Sequence, residues 1–402
     1  MKRGKNMSIE FDLYQTLALA AVMVLLGAFI RKKIFFFERF CIPAPVIGGL
    51  LFAILTCILH STGTAEITFD ATMREVCMVF FFTSVGFQMD LKSLKAGGKG
   101  LLLLFLCAAI LIACQNSISI VLAKFLHVSP LLGLCAGSVS MVGGHGTSAA
   151  FGPILENLGL KGATTFCTAA ATYGLISGGL TGGPIGNYLI TRDHPRESIP
   201  SVSDNQMPRE KQERKTSASA YASAAFQLTI AVGIGTAVSG LLTKLGMTFP
   251  LYIGGMIVAA VIRNCSEFSG VFSVHIPEND TLGEIFLNLF LGIAMITLEL
   301  WQLADLALPL IILLAAQTVF VIIYVRFVTY SMMGKDYDAA VISAGTCGFS
   351  LGATPNAMAN MQAICEKYRP SVKAFMLVPI VGGFLNDFTN SILITFFINL
   401  IK

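Results

Sequence analysis

Ser138-Val-Ser-Met-Val-Gly-Gly-His-Gly-Thr-Ser148 and Gly345-Thr-Cys-Gly-Phe-Ser-Leu-Gly-Ala-Thr-Pro-Asn356 are the two stretches that decide the fold of this chain. Each lies inside a charge-free run, Val128 to Leu155 and Ala339 to Cys365. A continuous helix so rich in Gly, Ser and Thr, with an internal proline in the second case, is a poor lipid-facing span. Non-helical backbone at membrane depth is tolerated where protein or a watery cavity surrounds it, so both stretches are expected to turn back as re-entrant hairpins. The competing reading, glycines that only let helices pack closely, stays open for any single glycine.

Working outward, charged residues cut the chain into long apolar windows. In the first half these are Leu13 to Ile30, Phe40 to Leu59, Val76 to Met89, Gly100 to Ala123, Val128 to Leu155 and Gly162 to Thr191. The second half gives Thr216 to Thr243, Leu245 to Ile262, Ile285 to Leu298, Leu306 to Val325, Ala339 to Cys365 and Ala374 to Ile401, the last broken only by Asp387. Most reach the about 20 residues a crossing needs, and the short third windows can be extended by flanking side chains that snorkel. The 402 residues are 55% hydrophobic and 12% charged, against roughly 25% charge in soluble domains. An integral membrane protein follows. A net charge of +4 without a basic, aromatic-interleaved stretch excludes nucleic-acid partners.

The halves repeat one another. Ile47-Gly48-Gly49 returns as Ile253-Gly254-Gly255, Gly86 and Met89 as Gly292 and Met295, and Gly146 as Gly352, always 206 positions on. The polar segment at 191–216, with Pro195, Pro200 and Pro208, reads as a linker between repeats at 1–190 and 217–402. Twelve straight crossings would divide the 27 lysines and arginines 15 to 12, whereas hairpins at about 128–155 and 339–365 divide them 19 to 8. The positive-inside rule selects the hairpins. The expected fold is therefore all-α and polytopic: ten transmembrane helices in two inverted five-helix repeats, each with a re-entrant hairpin, both termini outside and the linker in the cytoplasm. Arg31-Lys32-Lys33 closes the first window as a helix flank would, so that window reads as a retained helix rather than a signal peptide.

None of the ten cysteines forms a CxxC pair, and most sit in apolar runs as small hydrophobes, so neither a disulfide framework nor a transition-metal site is expected. An enzyme is disfavoured by the absence of HExxH and by Asp387 being the sole acidic residue near mid-membrane. A channel would favour rings of pore-lining residues over two hairpins. Paired repeats with broken segments point instead to a secondary transporter.

The stretches Gly143 to Thr147 (GGHGT) with Ser148-Ala149-Ala150, Cys347 to Ile364 (CGFSLGATPNAMANMQAI) and Met332 to Val341 (MMGKDYDAAV) resemble the bacterial sodium/glutamate symporter family, over nearly the whole chain. The resemblance implies glutamate import with sodium as coupling ion, no cofactor, a bacterial cytoplasmic membrane and a homodimer with a moving transport domain. Another dicarboxylate or hydroxycarboxylate is the nearest alternative substrate.

A glutamate-sized ligand carries two carboxylates and one ammonium, yet no Arg or Lys lies near the middle of any window. Its carboxylates are expected to meet helix N-termini at Gly144, Gly146 and Gly352, where backbone must come close, and donors on Ser140, Thr147, Ser148, Thr354 and Asn356. His145, the only histidine within a window, either donates to a carboxylate or rests on a neighbouring carbonyl. Asp387 with Asn390, Ser350 and Asn360 is the candidate sodium set, with holding the substrate ammonium as Asp387's other role. Gln115, Asn116 and Gln317 are read as bonds between helices. Ala150 and Ala357 are expected near a watery path at the hairpin tips.

Overall fold

The computed structural model describes residues 7–40, 42–193, 217–244, 251–302 and 307–401, so the expected linker lies outside the described residues from 194 onward. Nearly everything described is helical. The first half holds α1 (Leu13–Lys33), α2 (Phe35–Arg39), α3 (Ala44–Ser61), α4 (Thr72–Gly86), α5 (Leu91–Phe125), α6 (Pro130–Ala136), α7 (Ser138–Met141), α8 (Gly144–Asn157) and α9 (Ala163–Asp193). The second holds α10 (Ala218–Lys244), α11 (Tyr252–Ser269), α12 (Ile276–Ile296), α13 (Ala307–Tyr324), α14 (Tyr330–Met332), α15 (Tyr337–Leu351), α16 (Thr354–Lys367), α17 (Val372–Ile380) and α18 (Asn386–Ile401). One π segment, Val325–Thr329, joins α13 to α14, and another, Val381–Leu385, joins α17 to α18. Among the described residues seven helical stretches are long and apolar enough to cross a membrane: α1, α3, Gly97–Phe125, Ala218–Leu241, α12, Ala307–Met332 and Val372–Ile401. Their lipid-side leucines and phenylalanines, such as Leu25, Phe29, Leu55 and Phe396, stand exposed. This is a multi-pass membrane protein.

Local chemistry sets the boundaries. Asp12 and Gln15 form a reciprocal capping box at the start of α1, Ser129 followed by Pro130 opens α6, and the Asp336 carboxylate accepts from Ala339 N at 2.7 Å to open α15. Window reading did not foresee a strand pair. Residues Met7–Phe11 (β1) and Ala65–Phe69 (β2) form a parallel two-stranded ladder, with Phe11 stacked on Phe69 at 5.4 Å. The alternation of Met-Ser-Ile-Glu-Phe and Ala-Glu-Ile-Thr-Phe is that of strands with one covered face.

The helices pack in two groups. One comprises α1, α3, α4, α10, α11 and α12, and the other α5 to α9 with α13 to α18. Lipid supplies no hydrophobic force between helices, so small residues that let backbones approach decide the contacts. In the first group Gly27 of α1 faces Ala44 and Gly48 of α3, and the same arrangement recurs where Gly235 of α10 faces Gly254 and Gly255 of α11. Gly49 abuts Met295 of α12, and Gly255 abuts Thr83 of α4. The groups touch chiefly through α8 against α12 and α4.

Pairings at the helix ends define two ends of the molecule. At the end carrying β1 and β2, His60 in the last turn of α3 stacks on Trp301 at 4.0 Å, and Arg74, Glu156, Thr164 and Glu299 line one cavity. At the other end Asn264 bonds Met89 and Leu91, Gln88 donates to Asp280, and Asn187 accepts from Lys367 and Tyr368. Helices α4, α9 and α12 run between the two.

Candidate functional site

The two glycine-rich stretches fold as hairpins. In the second, Gly348 of α15 lies against the backbone of Ala357, and Gly345 against Met361, both on α16, so the arms run antiparallel about a turn at Gly352-Ala353. In the first, α6 and α7 enter, the chain turns at Gly143-Gly144, and α8 returns; the Ser148 hydroxyl donates to Ser140 Oγ across the arms at 3.2 Å. Gly144 has φ +57, a left-handed conformation that favours glycine, and a Cβ there would sit 3.3 Å from Gly352 O. The tips of the two hairpins therefore touch. They lie at Gly143-Gly144 and Gly352-Ala353 rather than at Ala150 and Ala357; Ala357 is wedged between the arms with no exposure.

Amide side chains on neighbouring helices hold the tips. Gln115 Nε2 donates to Ser350 O at 3.0 Å, Asn116 Oδ1 accepts from Ser138 N at 2.9 Å, and Asn390 Nδ2 donates to Ser138 O at 3.1 Å. Asn356 Nδ2 donates to Leu175 O at 2.6 Å, and the Thr354 hydroxyl to Gly382 O at 2.7 Å. Gln115 and Asn116 do bond between helices, as read from sequence, but what they grip is the hairpins. Gln317 continues the chain by donating to Gln115 O at 3.0 Å.

Other sequence-predicted residues are committed elsewhere. The Ser140 hydroxyl shares its proton between Cys135 O and Cys167 O, Ser148 between Ser140 Oγ and Cys167 O, while the Ser350 hydroxyl donates to Thr346 O and Asn360 Nδ2 to Gly178 O. Thr147 is buried beside Gly143, whereas Gly146 faces the ring of Phe81 with room to spare. His145 Nε2 lies 3.0 Å from Thr172 Oγ1. The Thr172 hydroxyl gives its proton to Thr168 O, so the ring N–H donates to Thr172 and the partner is a hydroxyl of α9 rather than a carbonyl.

What the arrangement leaves unpaired is mostly oxygen, with Asn116 Nδ2 as an amide donor beside it. Gln115 Oε1, Ser138 Oγ, Asn356 Oδ1, Asn386 Oδ1 and Asn390 Oδ1 are buried without a partner among the described residues, all on elements that meet at the tips. Asp387 is half-buried at the start of α18, next to the π segment in which Gly383 leaves helical geometry (φ −94, ψ −119), and nothing described pairs its carboxylate. Buried amide and carboxylate oxygens want partners, and a hard cation takes such ligands. The first turns of α8 and α16 add the unpaired N–H groups of helix starts, which suit an anion.

Residues 9–370 match the family described as sodium/glutamate symporter. The chain is 38% identical over 394 residues to the sodium/glutamate symporter of Escherichia coli (strain K12), covering 97% of this chain and 98% of that one. To the sodium/glutamate symporter of Haemophilus influenzae it is 39% identical over 395 residues, with 96% and 97% covered. The chain belongs to the sodium/glutamate symporter family. Membership sets it among transporters rather than enzymes. A sodium proton antiporter from Methanocaldococcus jannaschii aligns over 97% of this chain and 98% of its own at 13% identity and a TM-score of 0.44.

Proposed function

We propose that this sodium/glutamate symporter family member imports glutamate coupled to sodium influx by alternating access. The observation that carries the reading is the meeting of two hairpin tips beside the unpaired Asp387 carboxylate and the unpaired oxygens of Asn386 and Asn390. Helix N-termini at Gly144 and Thr354 face the substrate carboxylates, with His145, Gly146, Thr147, Gly352 and Asn356 shaping the site. Sodium is held by Asp387 and Asn390, with Ser350 and Asn360 steadying the second hairpin from within. Sodium is a coupling ion here, not a cofactor.

The same reading gives ten crossings: α1, α3, α4, α5, α9, α10, α11, α12, α13 with α14, and α17 with α18. The repeats at 1–190 and 217–402 are inverted, the hairpins enter from opposite faces, and both termini lie outside a bacterial cytoplasmic membrane. The recurring Gly27–Gly48 and Gly235–Gly254 contacts support the repeat. The end pairings support the opposed hairpins, since α8 returns to the end carrying β1 and β2 while Lys367, closing α16, reaches Asn187 at the other. A homodimer is part of the proposal.

Uptake of labelled glutamate into proteoliposomes, with and without an inward sodium gradient, tests the function. Sodium-dependent accumulation is expected, with unlabelled dicarboxylates and hydroxycarboxylates competing poorly; no accumulation overturns it. A cysteine at Ser203 should be labelled only from the cytoplasmic side, and opposite-sided labelling of the two termini would refute the ten-crossing arrangement.

A further inference from the structure

Away from the hairpin tips, at the end carrying β1 and β2, a polar cavity of about 310 Å³ opens between the two helix groups. That is the lower end of the range for sites that hold small molecules. Arg74 of α4, with Glu299 and Gln302 beyond α12, forms one wall; Glu156 of α8, Lys161 in the turn before α9 and Thr164 of α9 form the other. Each wall carries one cation and one carboxylate.

No contact ion pair closes across the cavity, although Glu156 and Glu75 lie near enough to Arg74 to act on its charge. Neither Arg74 nor Lys161 has an ion-pair partner among the described residues. Glu156 accepts from Thr164 N at 3.0 Å and Glu299 from Gln302, which leaves carboxylate oxygens over. Two further atoms point to an absent ligand: Thr164 Oγ1, on a residue 7% exposed, and Gln302 Oε1 are buried without a partner. Burial, with Glu156 beside it, pushes the Glu299 carboxyl above its usual range, and a cation placed there would relieve it. A guanidinium without a contact ion pair in a part-buried cavity suits a carboxylate, which it can bind through two parallel hydrogen bonds.

We propose that this cavity is a second substrate site, an outer docking site that receives an α-amino dicarboxylate before it reaches the hairpin tips. Arg74 and Lys161 meet the two carboxylates, Glu156 and Glu299 the ammonium, and Thr164 Oγ1 donates to a carboxylate oxygen. The inference rests on the transport reading above. Because its walls come from different helix groups, a ligand here bridges them at the face where the path opens.

The test is glutamate uptake by the full-length protein, with substrate presented separately from the outer and the inner face. Arg74→Gln should raise the half-saturating glutamate concentration about tenfold from the outer face only, with maximal rate and sodium dependence kept. Arg74→Lys should restore part of the affinity, and Lys161→Gln should reproduce a smaller shift. Unchanged affinity, an equal change from both faces, or a lowered maximal rate with unchanged affinity would each overturn the site, the last making Arg74 a latch between the groups. If the parent protein accumulates glutamate and the variants match it, this inference alone fails; if the parent accumulates none, the transport reading fails with it.

Discussion

At the scale of single residues, positions matched by the 206-residue offset in the sequence do not share a fate. Gly146 and Gly352 lie 206 positions apart, and sequence made both look indispensable. A Cβ at Gly146 would meet Phe81 at 3.6 Å, an ordinary contact, whereas at Gly352 it would lie 2.8 Å from Asn356 Nδ2 and 3.2 Å from Leu175 Cα and Gly348 O. Asn356 Nδ2 is already held by Leu175 O, so it cannot swing clear without losing a buried hydrogen bond. Gly146→Ala should leave thermal stability close to the parent, while Gly352→Ala should cost about 1–3 kcal/mol and most of the transport, read by melting in detergent and by uptake. The glycine run was legible; the intolerant member of the pair was not, because that depends on what α9 brings opposite it. Asp387 was legible for a different reason, since one carboxylate in an apolar window needs an explanation whatever the fold. Asp387→Asn keeps the shape and removes the charge, and it should weaken apparent sodium affinity in uptake assays more than it weakens glutamate affinity. The reverse order would give Asp387 to the ammonium.

At the scale of elements, the seat of the second hairpin is a glycine face on α9 that window reading passed over. Gly174, Gly178, Gly182 and Gly186 recur every four residues and meet, in turn, Leu351 O, Gly348 O with Gly352 N, Asn360 with Ala344 O, and Ala344 with Ile364. Backbone stands 2.1 Å from where the Gly174 Cβ would be, so no side-chain adjustment can make room. Gly183, on the same helix, has nothing within 4 Å. Gly174→Leu should therefore push the hairpin off α9 and deplete folded protein, and Gly183→Leu should be tolerated; size-exclusion profiles in detergent would report both. Equal behaviour of the two would mean that the hairpin is not held by this face. The fourfold spacing was in the sequence, but charge-free windows say only that a segment is apolar and not which helix lies beside it. The β1–β2 ladder escaped for a related reason, its five-residue alternation being too short to register beside helices of about 20 residues.

At the scale of the whole molecule, the first three windows of each half make one helix group and the last three the other, an interleaving that no reading of windows in order could have supplied. The proposed site lies wholly in the second group, and the interface with the first runs mainly through α8 against α4 and α12. Alternating access requires that interface to slide or rock while the hairpin tips keep their own contacts. One close contact across it is at the end carrying β1 and β2, where a Cβ at Gly162 would lie 3.0 Å from Gln302 Cβ. A disulfide needs its Cβ atoms about 3.5–4.5 Å apart, a separation reached by a small opening of the pair. Gly162 has φ +74, so the cysteine there costs on the order of 1–2 kcal/mol, which leaves a variant that should still fold. In a background with the native cysteines replaced, Gly162→Cys with Gln302→Cys should transport when reduced. Oxidised, it should stop net uptake, and reductant should restore it. Retention of full sodium-dependent uptake in the cross-linked protein would mean that the two groups do not move apart here during turnover, and alternating access would then have to come from the hairpins alone.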